Sequence, residues 1–305
     1  MRYTSLSNYL KNTYGEKYYK LSLSCATTCP NRDGTCGDKG CIFCSSKGSG
    51  DFAQDALLPI DKQIEKAKEL IRTKSDNEKY IAYFQAFTST YGDINYLRKV
   101  FYETINRDDV AILSIATRPD CLEDDVLKLI DELNHIKPVW VELGLQTVHE
   151  SSAQYIRRGY ETDVYFDAVD KLKRLSVHVI THIIIGLPYE TKEMMIETAN
   201  QVGKVSDGVK LQLLHVLKGT DLAKEYENGM FETLSIDEYA DILCECINVI
   251  PEEVVIHRLT GDGDKSTLIA PLWTRDKKRV LNFINHKIAQ FEKKTSEPKK
   301  HLIFL

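Results

Sequence analysis

The sequence predicts an α/β fold: a partial (β/α)6 barrel with an N-terminal and a C-terminal extension. Three observations carry this. Apolar runs of strand length alternate with longer stretches whose apolar residues recur at helical spacing. Such alternation gives parallel strands joined by crossover helices. The alternation occupies residues 18–220, short of the roughly 250 residues that a closed eight-unit barrel takes.

The predicted strands are 18–24, 79–87, 110–116, 138–145, 177–185 and 209–215, with a further strand at 253–257. The predicted helices are 60–73, 95–106, 123–135, 163–175, 192–205 and 236–249. Residues 1–17 read as an N-terminal extension, 18–220 as the barrel, and 221–305 as a C-terminal extension that completes the substrate side. In a barrel of this kind the chemistry belongs in the loops after the strands.

Hydrophobic residues make up 43% and charged residues 28% of the chain, as in ordinary globular proteins. No apolar run approaches the roughly 20 residues of a membrane span. The start, Met1-Arg2-Tyr3-Thr4-Ser5, lacks the apolar core of a signal peptide, so the expected location is the cytoplasm, without a membrane partner. The net charge of −5 argues against bulk nucleic-acid binding. From Arg275 to His301, however, nine Lys and Arg face three acids. That tail reads either as a phosphate-contacting surface or as a solvated helix face.

Five of the eight cysteines fall between Cys25 and Cys44, directly after the first predicted barrel strand. In a reducing compartment such clustering reads as metal or cluster binding. A structural zinc site would close four thiolates, for example Cys25, Cys29, Cys41 and Cys44, around one ion. An iron–sulfur cluster also takes thiolates and can leave one iron without a protein ligand. Spacing does not separate the two; the position at the head of a β/α series favours iron–sulfur. Cys41 and Cys44 belong to the ligand set, and the third ligand is Cys25, Cys29 or Cys36. Cys121, Cys244 and Cys246 are scattered and read as small buried residues.

Cys41-Ile42-Phe43-Cys44 resembles the end of the cluster loop in the radical S-adenosylmethionine (SAM) superfamily. Cys29-Pro-Asn-Arg-Asp-Gly, with eleven residues between Cys29 and Cys41, resembles the YhcC/YtqA-like branch, related to the radical SAM domain of Elongator's catalytic subunit. The likeness runs from Ser5 to about Trp273. It implies a [4Fe–4S] cluster on Cys29, Cys41 and Cys44, and SAM chelating the open iron. It also implies one-electron cleavage to a 5′-deoxyadenosyl radical, with a reducing partner such as flavodoxin or ferredoxin.

The same resemblance distributes SAM contacts over the strand ends. Gln85 and Thr88 follow the second barrel strand, where many relatives carry glycines that are missing here. Ser114 ends the third. Glu142-Leu-Gly-Leu-Gln146 ends the fourth and resembles the Gly-hydrophobic-Gln segment of coproporphyrinogen oxidase-like enzymes. That likeness implies a ribose contact for Gln146. Arg158, twelve residues on, implies a SAM carboxylate contact, with Arg157 as the alternative. His182 takes a ribose-ligand position, and Gly186-Leu187-Pro188 resembles the adenine-flanking turn of the same enzymes.

For the substrate side, His215, Lys218 and the loop His257-Arg258-Leu259-Thr260-Gly261-Asp262 are the polar candidates, Arg258 suiting a phosphate or carboxylate. Cys121 and Tyr91 are candidate hydrogen-atom donors by location. No second cysteine cluster or cobalamin module is visible. The resemblance implies tRNA as partner, and conversion of 5-carboxymethylaminomethyl to 5-aminomethyl on the wobble uridine. The alternatives are a small-molecule substrate, or a zinc-stabilised interaction protein without catalysis.

Overall fold

The computed structural model describes residues 3–48, 50, 52–72, 78–261 and 263–296. Thr73, Asp262 and the tail residues Glu297, Lys299, Lys300 and His301 lie outside the described residues. Thr4–Ser5 (β1) and Leu6–Tyr14 (α1) come first. Then follow Tyr19–Leu23 (β2), Ile60–Ile71 (α2), Tyr80–Phe84 (β3), Ile94–Ile105 (α3), Val110–Thr117 (β4) and Asp124–Asn134 (α4). Next are Val139–Gln146 (β5), Glu150–Tyr155 (α5), Thr162–Arg174 (α6), His178–Ile185 (β6), Lys192–Gly203 (α7) and Gly208–Leu213 (β7). The C-terminal region adds Val216–Leu217 (β8), Asp221–Glu227 (α8), Ile236–Val249 (α9), Val255–Arg258 (β9), Leu268–Ala270 (β10) and Lys277–Ser296 (α10).

The six predicted barrel strands are β2 to β7, and they lie side by side in chain order, all parallel. The sheet then continues: β9 pairs parallel with β7, and β1 pairs parallel with β9. Eight strands thus form one open, curled sheet with β1 and β2 as its edges. The residues read as extensions are therefore partly barrel. Thr4–Ser5 is too short to carry a periodic signal, which is why the sequence did not place it in the sheet. The short antiparallel pair β8–β10 was missed for the same reason.

Period-two alternation sorts each strand between two environments. On β5, Val141, Leu143 and Leu145 face the helices, in one apolar core with Val209, Leu211 and Leu213 of β7. The alternate residues, Trp140, Glu142, Gly144 and Gln146, face the barrel interior. The interior is closed at its N-terminal end by α1. Leu10 packs there with Ile81, Ile112, Trp140 and Ile180. The Tyr9 ring stands 6.3 Å from Trp140 and 5.8 Å from His178. The N-terminal segment is a plug. Ser5 caps α1 by accepting a hydrogen bond from the Asn8 amide, and Gly15 ends it at φ 82°.

With Leu10 only 1% exposed beneath the barrel, Leu10→Ala should cost about 2–5 kcal/mol. Urea unfolding of the purified protein checks this: a lower midpoint is expected, and an unchanged one would mean that α1 does not close the barrel.

Candidate active site

A cavity of about 270 Å³ opens at the C-terminal ends of the strands. Its wall is built from the loops that follow β2, β3, β4, β5, β7 and β9. Cys29, Cys41 and Cys44 all line it. Cys25 does not: it is 2% exposed in the main apolar core, its Sγ 3.4 Å from the Ser89 carbonyl. Cys36 is exposed and lines a separate surface depression. Of the three candidates for the third thiolate, Cys29 alone shares the cavity with Cys41 and Cys44.

Burial, reinforced by the neighbouring Cys44 and Cys29, pushes the Cys41 thiol up to about 12, against the pull of Asn31 and Arg118. Without a metal, these thiolates would repel one another in a low dielectric. A bound iron cluster removes that cost, because coordinating thiols are deprotonated outright. Among the described residues, no three His, Cys, Asp or Glu side chains converge on one ion.

The cluster loop is fastened by residues that the sequence reading did not single out. Asn31 Nδ2 lies 2.7 Å from the Arg157 carbonyl, 3.0 Å from that of Arg158 and 3.5 Å from Cys41 Sγ. The approach is close enough that a Cβ on Gly159 (φ +81°) would meet Asn31 Oδ1 at 2.4 Å. Arg32 donates to the carbonyls of Cys44 and Ser45, at 3.1 and 2.6 Å. Arg118 donates to the Arg158 carbonyl at 2.8 Å and lines the cavity.

Arg158 takes part in that geometry. Its side chain is 1% exposed and fully engaged with protein. Nε donates to the Tyr160 carbonyl; Nη1 reaches the Leu145 and Thr147 carbonyls; Nη2 reaches Glu150 and Thr162. Five N–H groups meet five acceptors, so Arg158 folds the β5–α6 connection on which the cluster loop rests. Arg158 also lines the cavity. The alternative, Arg157, pairs with Asp221 at 2.8 Å and does not line the cavity.

Gln85, Thr88 and Gln146 line the cavity. Gln85 Nε2 and the hydroxyl of Thr88, which is 1% exposed, have no hydrogen-bond partner among the described residues. Buried polar atoms of this kind are normally satisfied, so they mark where a ligand belongs. Gln146 sits at φ 69°, at a register shift between β5 and β6. A Cβ on Gly144 would stand 2.9 Å from Gln146 Nε2, so that glycine makes room for the glutamine.

Ser114, Glu142 and His182 meet in one interior layer rather than at the rim. The Glu142 carboxylate, 1% exposed, accepts from Lys20 at 2.5 Å, Ser114 at 2.6 Å and His182 Nε2 at 2.7 Å, and from Lys210. Lys210 also donates to the Tyr83 hydroxyl at 3.1 Å. Burial disfavours the Glu142 anion, but Lys20, Lys210 and His182 outweigh it and hold the carboxyl well below its usual range. Burial, with Lys210 and Lys20 beside it, drops His182 to about 4. Lys20 and Lys210 were missed; a lysine alone inside an apolar strand was the available signal.

The remaining expectations divide. His215 and Arg258 line the cavity. Lys218 is exposed beyond β8 and does not line it, because the backbone turns there to pair with Thr267. Cys121 is buried beside Asp120, off the cavity wall, with burial and that carboxylate raising its thiol. Gly186 (φ +92°) and Leu187 also lie off the wall. Leu187 packs in a second apolar cluster with Ile42 of the cysteine loop, and the Gly186 amide faces Met195 Sδ at 3.4 Å. That turn braces the cluster loop from behind.

Comparison with known proteins places this architecture. The model of the radical SAM superfamily matches residues 27–202, and that of the radical SAM C-terminal domain matches 206–290. The chain belongs to the radical SAM superfamily, and its cofactors are a [4Fe–4S] cluster and SAM. It is 45% identical over 288 residues to the uncharacterized protein YtqA of Bacillus subtilis (strain 168), covering 94% of this chain and 89% of that one. It is 25% identical over 161 residues to a tRNA uridine(34) acetyltransferase of Methanocaldococcus infernus, covering 52% of this chain and 30% of that one. Among solved structures, the archaeal Methanocaldococcus infernus Elp3 lacking its N-terminus superposes with a TM-score of 0.64 at 18% identity, covering 77% of this chain and 59% of that one. Among the described residues, no helix is long and apolar enough to cross a membrane.

Alanine at Cys29, Cys41 or Cys44 should each abolish stable iron binding after anaerobic reconstitution. Alanine at Cys25 or Cys36 should leave iron near the unsubstituted level. Iron and sulfide analysis of the five variants decides the ligand set, and full loading of the Cys29 variant would contradict it.

Proposed function

We propose that this radical SAM enzyme acts on tRNA, at the C5 side chain of the wobble uridine, converting 5-carboxymethylaminomethyluridine to 5-aminomethyluridine. When bound, the cluster and SAM supply a 5′-deoxyadenosyl radical able to take a hydrogen atom from an unactivated C–H bond. Radical SAM enzymes require a reductant, and a flavodoxin or ferredoxin of the cytoplasm would serve.

In this reading the residues divide the work. Cys29, Cys41 and Cys44 would hold the cluster. Gln85, Thr88 and Gln146 would orient SAM. Arg258, on the cavity wall, would face the substrate, whereas Lys218 stands outside and would meet only bulk solvent or RNA backbone. A wobble base splayed out of the anticodon loop can enter a barrel mouth.

The observation that carries the reading is the similarity to an enzyme named for uridine 34 of tRNA, over half of this chain. The basic tail supports it. Helix α10 buries Val280, Ile284 and Ile288 and leaves Lys278, Arg279, Lys293 and Lys294 exposed, positioned for phosphates. Lys287 is committed instead to Asp237 and Asp241, at 2.9 and 3.2 Å.

The test is anaerobic incubation of reconstituted enzyme, SAM and reductant with total tRNA from a strain lacking the protein. Nucleoside mass spectrometry should show carboxymethylaminomethyluridine falling as aminomethyluridine rises. Unchanged tRNA would overturn this reading in favour of a small-molecule substrate.

A further inference from the structure

Two lysines share one carboxylate at the deep end of the cavity. Lys20 and Lys210 both donate to Glu142. Beneath them the barrel is closed by Trp140, Ile81 and Leu10, with the His178 and His257 rings 5.4 and 5.3 Å from Trp140. Lys210 is 4% exposed, lines the cavity, and has the Tyr83 ring 4.4 Å from its Nζ. Lys20 lies over the same ring at 4.5 Å. Two lysine amines thus face one carboxylate, and Arg258 lines the same cavity.

An excess buried charge is costly unless an anion completes it. Burial, with Lys20 and Arg258 nearby, presses the Lys210 ammonium well below its ordinary range, and Glu142 only partly offsets this. Lys210 is turned to the cavity and not to solvent.

We propose that this charged floor is a carboxylate-binding subsite, in which Lys210 holds the anionic end of the substrate at the bottom of the cysteine-lined cavity. It deepens the reading of the cavity as the radical chamber and rests on it. A carboxylate suits this floor better than a phosphate dianion, which would crowd Glu142, whose own carboxylate lines the cavity. The subsite would also set the substrate's depth, because the anion can descend no further than the closed floor.

Acetate and its neutral isostere acetamide are the probes, titrated into reconstituted holoenzyme and followed by saturation-transfer NMR. Acetate should bind and acetamide should not. Lys210→Met should weaken acetate at least about tenfold, the loss of one close charge partner, and Lys210→Arg should retain it. Equal signals from the two probes, or undiminished acetate binding by the iron-loaded Lys210→Met protein, would overturn the subsite. The tRNA reading is judged separately. Acetate selectivity with unchanged tRNA keeps the subsite and discards tRNA as substrate. Conversion of tRNA at the same KM by wild type and Lys210→Met keeps tRNA and discards the subsite.

Discussion

The Glu142 carboxylate joins five strands through one buried anion: it stands on β5 and accepts from side chains on β2, β4, β6 and β7. A flat parallel sheet would hold these donors apart. Curling brings them to a common point, and ionisation of Glu142 then depends on all of them remaining there. Buried ion clusters add little net stability relative to apolar packing. What this one does is fix the interior geometry, because its four donors reach one carboxylate from four different strands.

The interior is consequently layered. An apolar plug from α1 forms the bottom, the Glu142 layer lies above it, and the cavity with its unpartnered Gln85 and Thr88 atoms comes next. The cysteine loop closes the top. That loop has little regular structure of its own. It is held by Asn31 against Gly159, by Arg32 on its own carbonyls, and by Ile42 packed with Leu187. Cluster position thus depends on the β5–α6 connection, and Arg158 holds that connection together.

Much of this was legible in the sequence. The six strands from β2 to β7 announced themselves because each is long and apolar on at least one face. The cysteine loop did so because thiol spacing is a local feature. Gln85, Thr88 and Gln146 were singled out by the family resemblance, and all three line the cavity. The protein partners of Arg158 were not legible, because a sequence offset locates where an arginine starts, not which acceptors its guanidinium meets. The Lys20–Glu142–Lys210 group was hidden because its members are 122 and 68 residues apart and meet only once the sheet curls. Thr4–Ser5 entered the sheet from an apparent extension because a two-residue strand carries no period.

The central claim is that three thiolates hold a cluster whose remaining iron is open to SAM. Electron paramagnetic resonance of the reduced, reconstituted protein tests it most directly, with SAM carrying ¹⁵N in its amino group. The account predicts a [4Fe–4S] signal that changes on adding SAM and shows hyperfine coupling to the label. A signal indifferent to SAM, or a colourless protein holding one tightly bound zinc, would contradict it.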